Sequence, residues 1–166
     1  LNVSTMLHNL GITSEAFCFL GGSEGEFIYE TLRKRCVKTS AVWISGKTRK
    51  GIKILDESAG SLTELNELGP IITASELSTI LQLISEELQP GDTLVLSGSI
   101  PRGVRLSIYA ELVQLARQIG ARAVVDADGE LMKLAIEERP YLIKPNRFEA
   151  EQLLQSVGVK ILYGTS

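Results

Sequence analysis

The chain has 166 residues, 44% of them hydrophobic and 22% charged, and a formal net charge of -3. That balance describes an ordinary globular domain, long enough to bury about 68 to 70% of its unfolded surface. It offers no basic footprint for nucleic acid, and no apolar run approaches the roughly 20 residues a membrane-spanning helix requires, so neither partner is expected.

Leu1 to Gly11 reads as a helix already under way, with Val3, Met6, Leu7 and Leu10 on one face, and the true start is expected upstream. Glu15 to Leu20 is a short apolar strand, and Gly21-Gly22-Ser23-Glu24-Gly25 turns it into a helix from about Glu26 to Arg35. A glycine-rich turn before a helix invites a phosphate-loop reading, because exposed backbone N–H groups there bind anions. Glu24 and Glu26 would place carboxylates where the phosphate sits, and no GK[ST] follows, so tight strand-to-helix packing is the better reading. Cys18 and Cys36 lie in patterned apolar or helix-end segments with no CxxC and no nearby histidine; they read as buried thiols of a reduced cytoplasm. His8, the sole histidine, falls on the helix surface and is given no role.

From Val37 to Glu67 the pattern changes. Ala41 to Ser45, Gly51 to Leu55 and Ser61 to Asn66 are short strand-like runs separated by Gly46-Lys47 and Asp56-Glu57-Ser58-Ala59-Gly60, which predicts antiparallel hairpins. Arg49, between two of these runs, is a candidate anion ligand, because a guanidinium grips a phosphate in two places. Thr73 to Leu88 follows as an amphipathic helix with Leu77, Ile80, Leu81, Ile84 and Leu88 inward, and Pro90-Gly91 turns the chain out of it.

Three apolar runs then end in polar turns. Thr93 to Leu96 runs into Ser97-Gly98-Ser99, Ala121 to Val125 stops at Asp126, and Tyr141 to Lys144 stops at Pro145-Asn146. Between the first two lies a helical pattern, Leu106, Ile108, Leu112, Leu115, Ala116 and Ile119, closed by Gly120 at the C′ position. Between the second and third, Glu130 to Glu138 places Leu131, Leu134 and Ala135 at one-turn spacing. Strand, helix and strand recurring at about thirty residues is the βαβ unit of a parallel sheet. Ligands of open α/β sheets sit beyond the carboxyl ends of the strands. Ser97, Ser99, Asp126, Lys144, Asn146 and Glu149 gather there, a donor set suited to a phosphorylated ligand and magnesium.

Read together, Asn2-Val3-Ser4, Phe19-Leu20-Gly21-Gly22 with Gly25, Thr48-Arg49, Thr63 to Glu67 with Gly69-Pro70, Ser97-Gly98-Ser99-Ile100-Pro101, Asp126 with Gly129-Glu130, and Lys144-Pro145-Asn146 with Glu149 follow the order seen in one family. From Leu1 to about Leu154 the chain resembles the ribokinase-like (PfkB) carbohydrate kinases, and most of all their phosphosugar branch, the 1-phosphofructokinases and tagatose-6-phosphate kinases. The resemblance implies an α/β, three-layer ribokinase-like fold with a mostly parallel sheet, a single incomplete domain over residues 1–166, and a small β lid formed by hairpins at about 37–67. It implies transfer of the γ-phosphoryl group of ATP, with magnesium as cofactor, to a ketose phosphate such as fructose 1-phosphate, fructose 6-phosphate or tagatose 6-phosphate. By that resemblance Asn2, Arg49, Ser97, Gly98 and Ser99 contact the sugar phosphate, Lys144, Asn146 and Glu149 face the nucleotide, and Asn146 and Glu149 serve the metal. A cytoplasmic homo-oligomer, paired in part through the lid, is expected.

Two of the family's pieces have no counterpart in the sequence: the strand with a substrate-binding aspartate before the first helix, and the Gly-Ala-Gly-Asp motif whose aspartate is the general base. No catalytic residue is therefore assigned, and the chain is expected to be an inactive central portion. The alternative is a non-catalytic sugar-phosphate-binding or dimerisation remnant of such a kinase.

Overall fold

The structure, a computed structural model, describes residues 1–156, with side chains to 154. The segment from Val159 to Ser166, where the sequence shows no base motif, lies outside the described residues. The chain divides into two compact units, the first Leu1–Glu86 with Pro101–Val104 and the second Glu87–Ile100 with Arg105–Ser166.

The first unit opens with helix α1 (Asn2–Asn9), whose one buried residue is Ser4. Met6 and Leu10 are exposed, so the apolar face read from the spacing is only partly covered. Strand β1 (Glu15–Leu20), helix α2 (Gly22–Lys34) and strand β2 (Lys38–Trp43) form a parallel βαβ unit, in register from Glu15 opposite Lys38 to Leu20 opposite Trp43. Ala16, Leu32 and Val37 form its core, with Ile28 packed against them. This corrects the sequence reading at Ala41 to Ser45, which belongs to a parallel pair and not to a hairpin. An alternation of apolar and small residues does not distinguish the two, and only the intervening helix sets the direction.

Helix α2 also begins earlier than Glu26, directly at Gly22. Gly25 thus sits inside its first turns, where an added Cβ would lie 3.0 Å from the Leu20 carbonyl carbon. The glycines serve close packing of strand on helix, as the acidic residues argued. The two cysteines depart from the expectation of burial: Cys18 is half-buried and Cys36 exposed. Burial raises the Cys18 thiol to about 11, which leaves it unreactive at neutral pH.

Strands β3 (Gly51–Asp56) and β4 (Ser61–Asn66) make the antiparallel hairpin, with Gly51 opposite Asn66 and Asp56 opposite Ser61. Every residue of both strands is exposed. The hairpin is therefore a narrower element than the span at about 37–67 read from the sequence. Helix α3 (Ala74–Glu87) buries Leu77, Ile80 and Ile84, and Thr73 and Glu76 form a reciprocal cap at its start.

The second unit is a three-stranded parallel sheet in the order β5 (Thr93–Ser97), β6 (Arg122–Asp126), β7 (Leu142–Ile143). Helix α4 (Ile108–Ile119) connects the first two strands and α5 (Gly129–Glu137) the next two; α6 (Arg147–Ser156) follows. Leu94, Leu96, Ala123 and Val125 of the strands and Leu112, Val113, Ala116, Leu131, Met132 and Ala135 of the helices are all buried. Full burial of a side chain such as Val125 contributes about 1.5 to 3 kcal/mol. Gly120 closes α4 in the left-handed region at φ 87°, as a glycine at that place predicts. Leu106, assigned to the α4 pattern from sequence, instead lies before the helix and is exposed. The third strand is also shorter than the run Tyr141 to Lys144.

Candidate functional site

The register of the second unit decides what stands at its edge. Ser97 lies opposite Asp126 in the β5–β6 pair, and Ile143 lies opposite Val125 in the β6–β7 pair. The N–H of Lys144 continues that ladder to the Val125 carbonyl at 2.9 Å. Ser97, Asp126 and Lys144 therefore stand at the carboxyl ends of three adjacent parallel strands, as the βαβ reading requires.

Their side chains and backbone are tied to one another. Lys144 Nζ lies 3.0 Å from Asp126 Oδ1. The Gly98 N–H donates to the Asp126 carbonyl at 2.9 Å, and the Tyr109 hydroxyl donates to the Gly98 carbonyl at 3.1 Å. Gly98 holds φ 88°, a conformation that glycine adopts without the Cβ clash of other residues. Burial, with the Asp126 charge as a second cause, pushes the Tyr109 phenol up to about 12, so this hydroxyl remains a donor across the physiological range.

At the next turn Asn146 and Glu149 satisfy each other. The Glu149 N–H donates to Asn146 Oδ1 at 2.9 Å, while the Asn146 N–H donates to Glu149 Oε2 at 2.8 Å. The Asn146 side-chain amide also donates to Glu149 Oε1. This is the reciprocal box of a helix N-terminus, and it closes the amino end of α6, which begins at Arg147 shortly after β7 ends at Ile143. Glu149 further lines a crevice of about 10 Å³ with Asp128, Gly129, Met132, Lys133, Gln152 and Leu153, room for about one water and no larger ligand.

Asn146 Oδ1 and the Glu149 carboxylate are hard oxygen donors of the kind magnesium takes, and that ion uses only one or two carboxylates while keeping waters and phosphate oxygens. The donor set fits it on that chemistry. Among the described residues no group of three or more His, Cys, Asp or Glu side chains converges into a preformed metal cage.

In the first unit Asn2 is the exposed first residue of α1. Arg49 is exposed in the link between β2 and β3, and its stem runs beside Gly69, where an added Cβ would meet it at 3.4 Å. The residues on either side of Arg49 are fastened. Thr48 N–H donates to the Gly21 carbonyl at 2.9 Å, and Gly21 N–H returns to Thr48 Oγ1 at 2.9 Å. Lys50 Nζ lies 2.6 Å from Glu24, and Lys50 N–H donates to Glu67 at 2.9 Å. Glu24 is drawn down to about 2, chiefly by the hydrogen bond from Lys50 and then by a backbone N–H of its own helix start. The anion place at the α2 N-terminus is thus taken by the chain's own carboxylate.

The sequence reading missed two of these features. From the sequence Glu24 reads only as a residue that repels phosphate, although Lys50 lies next to the candidate arginine. Tyr109 is absent from the α4 pattern read by spacing; the signal for it is a tyrosine in the first turn of a helix that buries its neighbours, since a buried phenol needs a partner.

A family model described as "pfkB family carbohydrate kinase" matches residues 1–161. The 1-phosphofructokinase of Bacillus subtilis is 34% identical over 168 aligned residues, covering 99% of the chain and 54% of that protein. A tagatose-6-phosphate kinase of Staphylococcus epidermidis is 35% identical, covering 93% of the chain and 50% of that protein. A crystal structure of a possible 1-phosphofructokinase from Thermotoga maritima superposes with a TM-score of 0.81 at 37% identity, over 87% of the chain and 47% of that structure. The chain spans about half the length of the curated relatives it matches. The fold is α/β and ribokinase-like, with mostly parallel strands, as the motifs implied.

Proposed function

We propose, from the premise that the chain belongs to the pfkB family of carbohydrate kinases, that it carries the sugar-phosphate contacts and the triphosphate edge of a phosphosugar kinase. The observation that carries this reading is the alignment of Ser97, Asp126 and Lys144 at three adjacent strand ends, beside the amino end of α6. Small donors, a cation and a helix start are what a phosphorylated ligand needs. In this reading the Ser97-Gly98-Ser99 turn of the second unit is a contact for the phosphate of a ketose phosphate; in the first unit Arg49 is an anion ligand and Asn2 a sugar contact. Lys144 faces the triphosphate, and Asn146 and Glu149 are the residues that would hold magnesium. The chemistry magnesium supplies when bound is neutralisation of the charge on the transferring phosphoryl group.

Among the described residues the two carboxylates nearest the strand edge are not offered as the proton acceptor: Asp126 is engaged by Lys144, and Asp128 stands at the start of α5. A positioned base is worth about 10² to 10⁴-fold, so the chain is expected to bind ligands without turning them over. The exposed β3–β4 hairpin supports self-association, since an isolated two-stranded hairpin is at best marginally stable in water and its edges recruit strands.

The test is calorimetric titration with fructose 1-phosphate, fructose 6-phosphate and tagatose 6-phosphate beside unphosphorylated fructose and tagatose. Binding that requires the phosphate and weakens in Arg49→Ala supports the reading. Equal affinity for phosphorylated and plain sugars overturns it.

A further inference from the structure

We infer that the depression beside helix α2 and the end of strand β2, walled by Tyr29 and Trp43 and flanked by Glu26 and Glu30, is a binding site for a small organic cation of the alkylammonium class. The inference stands apart from the phosphosugar reading and uses none of the strand-end residues of the second unit.

The strand pattern brings the two rings together. Trp43 ends β2 opposite Leu20, and its neighbours Val42 and Ile44 are buried. The two-residue alternation of a strand therefore turns the indole to the other face, where it meets Tyr29 of α2. The ring centroids lie 5.7 Å apart with the planes at 63°, an edge-to-face pair that forms a corner. Tyr29 is half-buried there, yet Trp43 keeps 50% of its surface open to solvent. With Glu26 and Glu30 the rings line an open depression of about 490 Å³, within the range of small-molecule sites.

Charge selects the occupant. Glu26 and Glu30 are four residues apart on one face of α2, a spacing at which like charges repel and weaken a helix. Arg33 pairs with Glu30 at 2.8 Å, whereas Glu26 makes no hydrogen bond or ion pair among the described residues. The lining thus keeps one negative charge without a counter-charge, beside two aromatic rings whose faces attract cations, tryptophan most strongly. An anion would be repelled by the carboxylates. A metal ion requires more oxygen ligands than two side chains supply, and among the described residues no group of three or more His, Cys, Asp or Glu converges. An alkylammonium meets both kinds of wall, its carbon groups on the rings and its charge toward Glu26.

Trp43 is the sole tryptophan, so its emission reports this place directly. The probe is choline chloride, titrated into the full chain beside its neutral isostere 3,3-dimethylbutan-1-ol and beside sodium chloride at equal concentration. The expected result is a saturable change in Trp43 emission with choline, several-fold weaker with the isostere and absent with sodium. Glu26→Gln, a change at an exposed residue, should weaken choline about 2- to 5-fold, and Tyr29→Leu should do the same by removing one ring face. Glu57→Gln, on the exposed hairpin turn, should leave choline binding unchanged and controls for overall charge. Circular dichroism checks that Tyr29→Leu keeps its fold, and Glu26→Gln decides the matter if it does not. No saturable response to choline overturns the inference. An equal response to the isostere shows an apolar patch only, an equal response to sodium shows charge screening only, and undiminished affinity in Glu26→Gln removes the carboxylate; each of these overturns it. None of these outcomes bears on sugar-phosphate binding.

Discussion

Lys144 Nζ and Asp126 Oδ1 meet at 3.0 Å where two neighbouring parallel strands end, so the cation of the strand edge is held in place by a carboxylate of the same edge. The lysine side chain is 69% exposed, and an ion pair so open to water contributes about 1 kcal/mol or less to stability. Its value lies in where it keeps the ammonium group. Lys144→Met is expected to weaken magnesium ATP roughly 10- to 100-fold, since a charge-assisted hydrogen bond contributes about 1.5 to 3 kcal/mol, with little change in the melting temperature. Calorimetry beside thermal melts separates the two effects, and an unaltered ATP affinity would remove Lys144 from the nucleotide edge.

The Asn146–Glu149 box predicts a coupled pair. Asn146→Ala and Glu149→Ala should each cost about 1 kcal/mol of stability, and the double variant should cost less than the sum, because either change breaks the same reciprocal bonds. Asn146→Ser keeps an oxygen for the helix start and should recover most of the stability lost in Asn146→Ala. Chemical denaturation of the four variants beside the unaltered chain measures this. Strict additivity would mean that the box is not formed in solution.

Around Arg49 the sign of a pH effect is fixed by Glu24. Its folded carboxyl sits at about 2 against an ordinary value of 4.5, so the stabilisation from the Lys50 contact is present above about 4.5 and is lost as the pH falls toward 2. Glu24→Gln should remove that part of the acid limb and leave stability above pH 5 less dependent on salt. Gly21→Ala is a harsher change. Its Cβ would stand 2.0 Å from the Gly46 carbonyl oxygen, so the β1–α2 turn and the Gly46–Thr48 segment of the link would have to part, at a cost of about 1 to 3 kcal/mol or more. Melting curves between pH 2 and 7 test both, and a Glu24→Gln curve parallel to that of the unaltered chain would contradict the first.

What could be read from the sequence follows the range of the forces involved. The strands Thr93–Ser97 and Arg122–Asp126, the α4 helix with its Gly120 stop, and the gathering of Ser97, Asp126 and Lys144 were legible because local period and βαβ handedness fix them. The partner of Ala41 to Ser45 was not, because pairing direction depends on the path of α2 rather than on the strand's own residues. Tyr109 escaped for a related reason: its helix places it at spacing, but the carbonyl it reaches lies eleven residues earlier, across a turn. The Glu24–Lys50 contact likewise joins elements far apart in sequence, which composition and spacing do not report.

The β3–β4 hairpin predicts association. Ile52, Ile54 and Leu65 alternate onto one side of it and are each more than half exposed, as register with Thr63 and Leu65 requires. An apolar strip on an unsupported hairpin is expected to pair with a second copy of the chain. Light scattering should give a dimer or larger species at micromolar concentration, and Ile54→Lys or Leu65→Lys should shift it toward monomer. A monodisperse monomer in the unaltered chain would contradict this.

The central claim is that these residues hold the ligand contacts of a phosphosugar kinase but not its proton acceptor, and a coupled ADP-release assay tests it most directly. The chain is assayed with magnesium ATP and fructose 1-phosphate, fructose 6-phosphate or tagatose 6-phosphate, beside Arg49→Ala and Asn146→Ala. The account predicts no ADP above background with any of the three, under conditions where calorimetry shows the sugar phosphate bound. Turnover by the unaltered chain that disappears in both variants would contradict it and would direct the search for the base to Asp126 and Asp128.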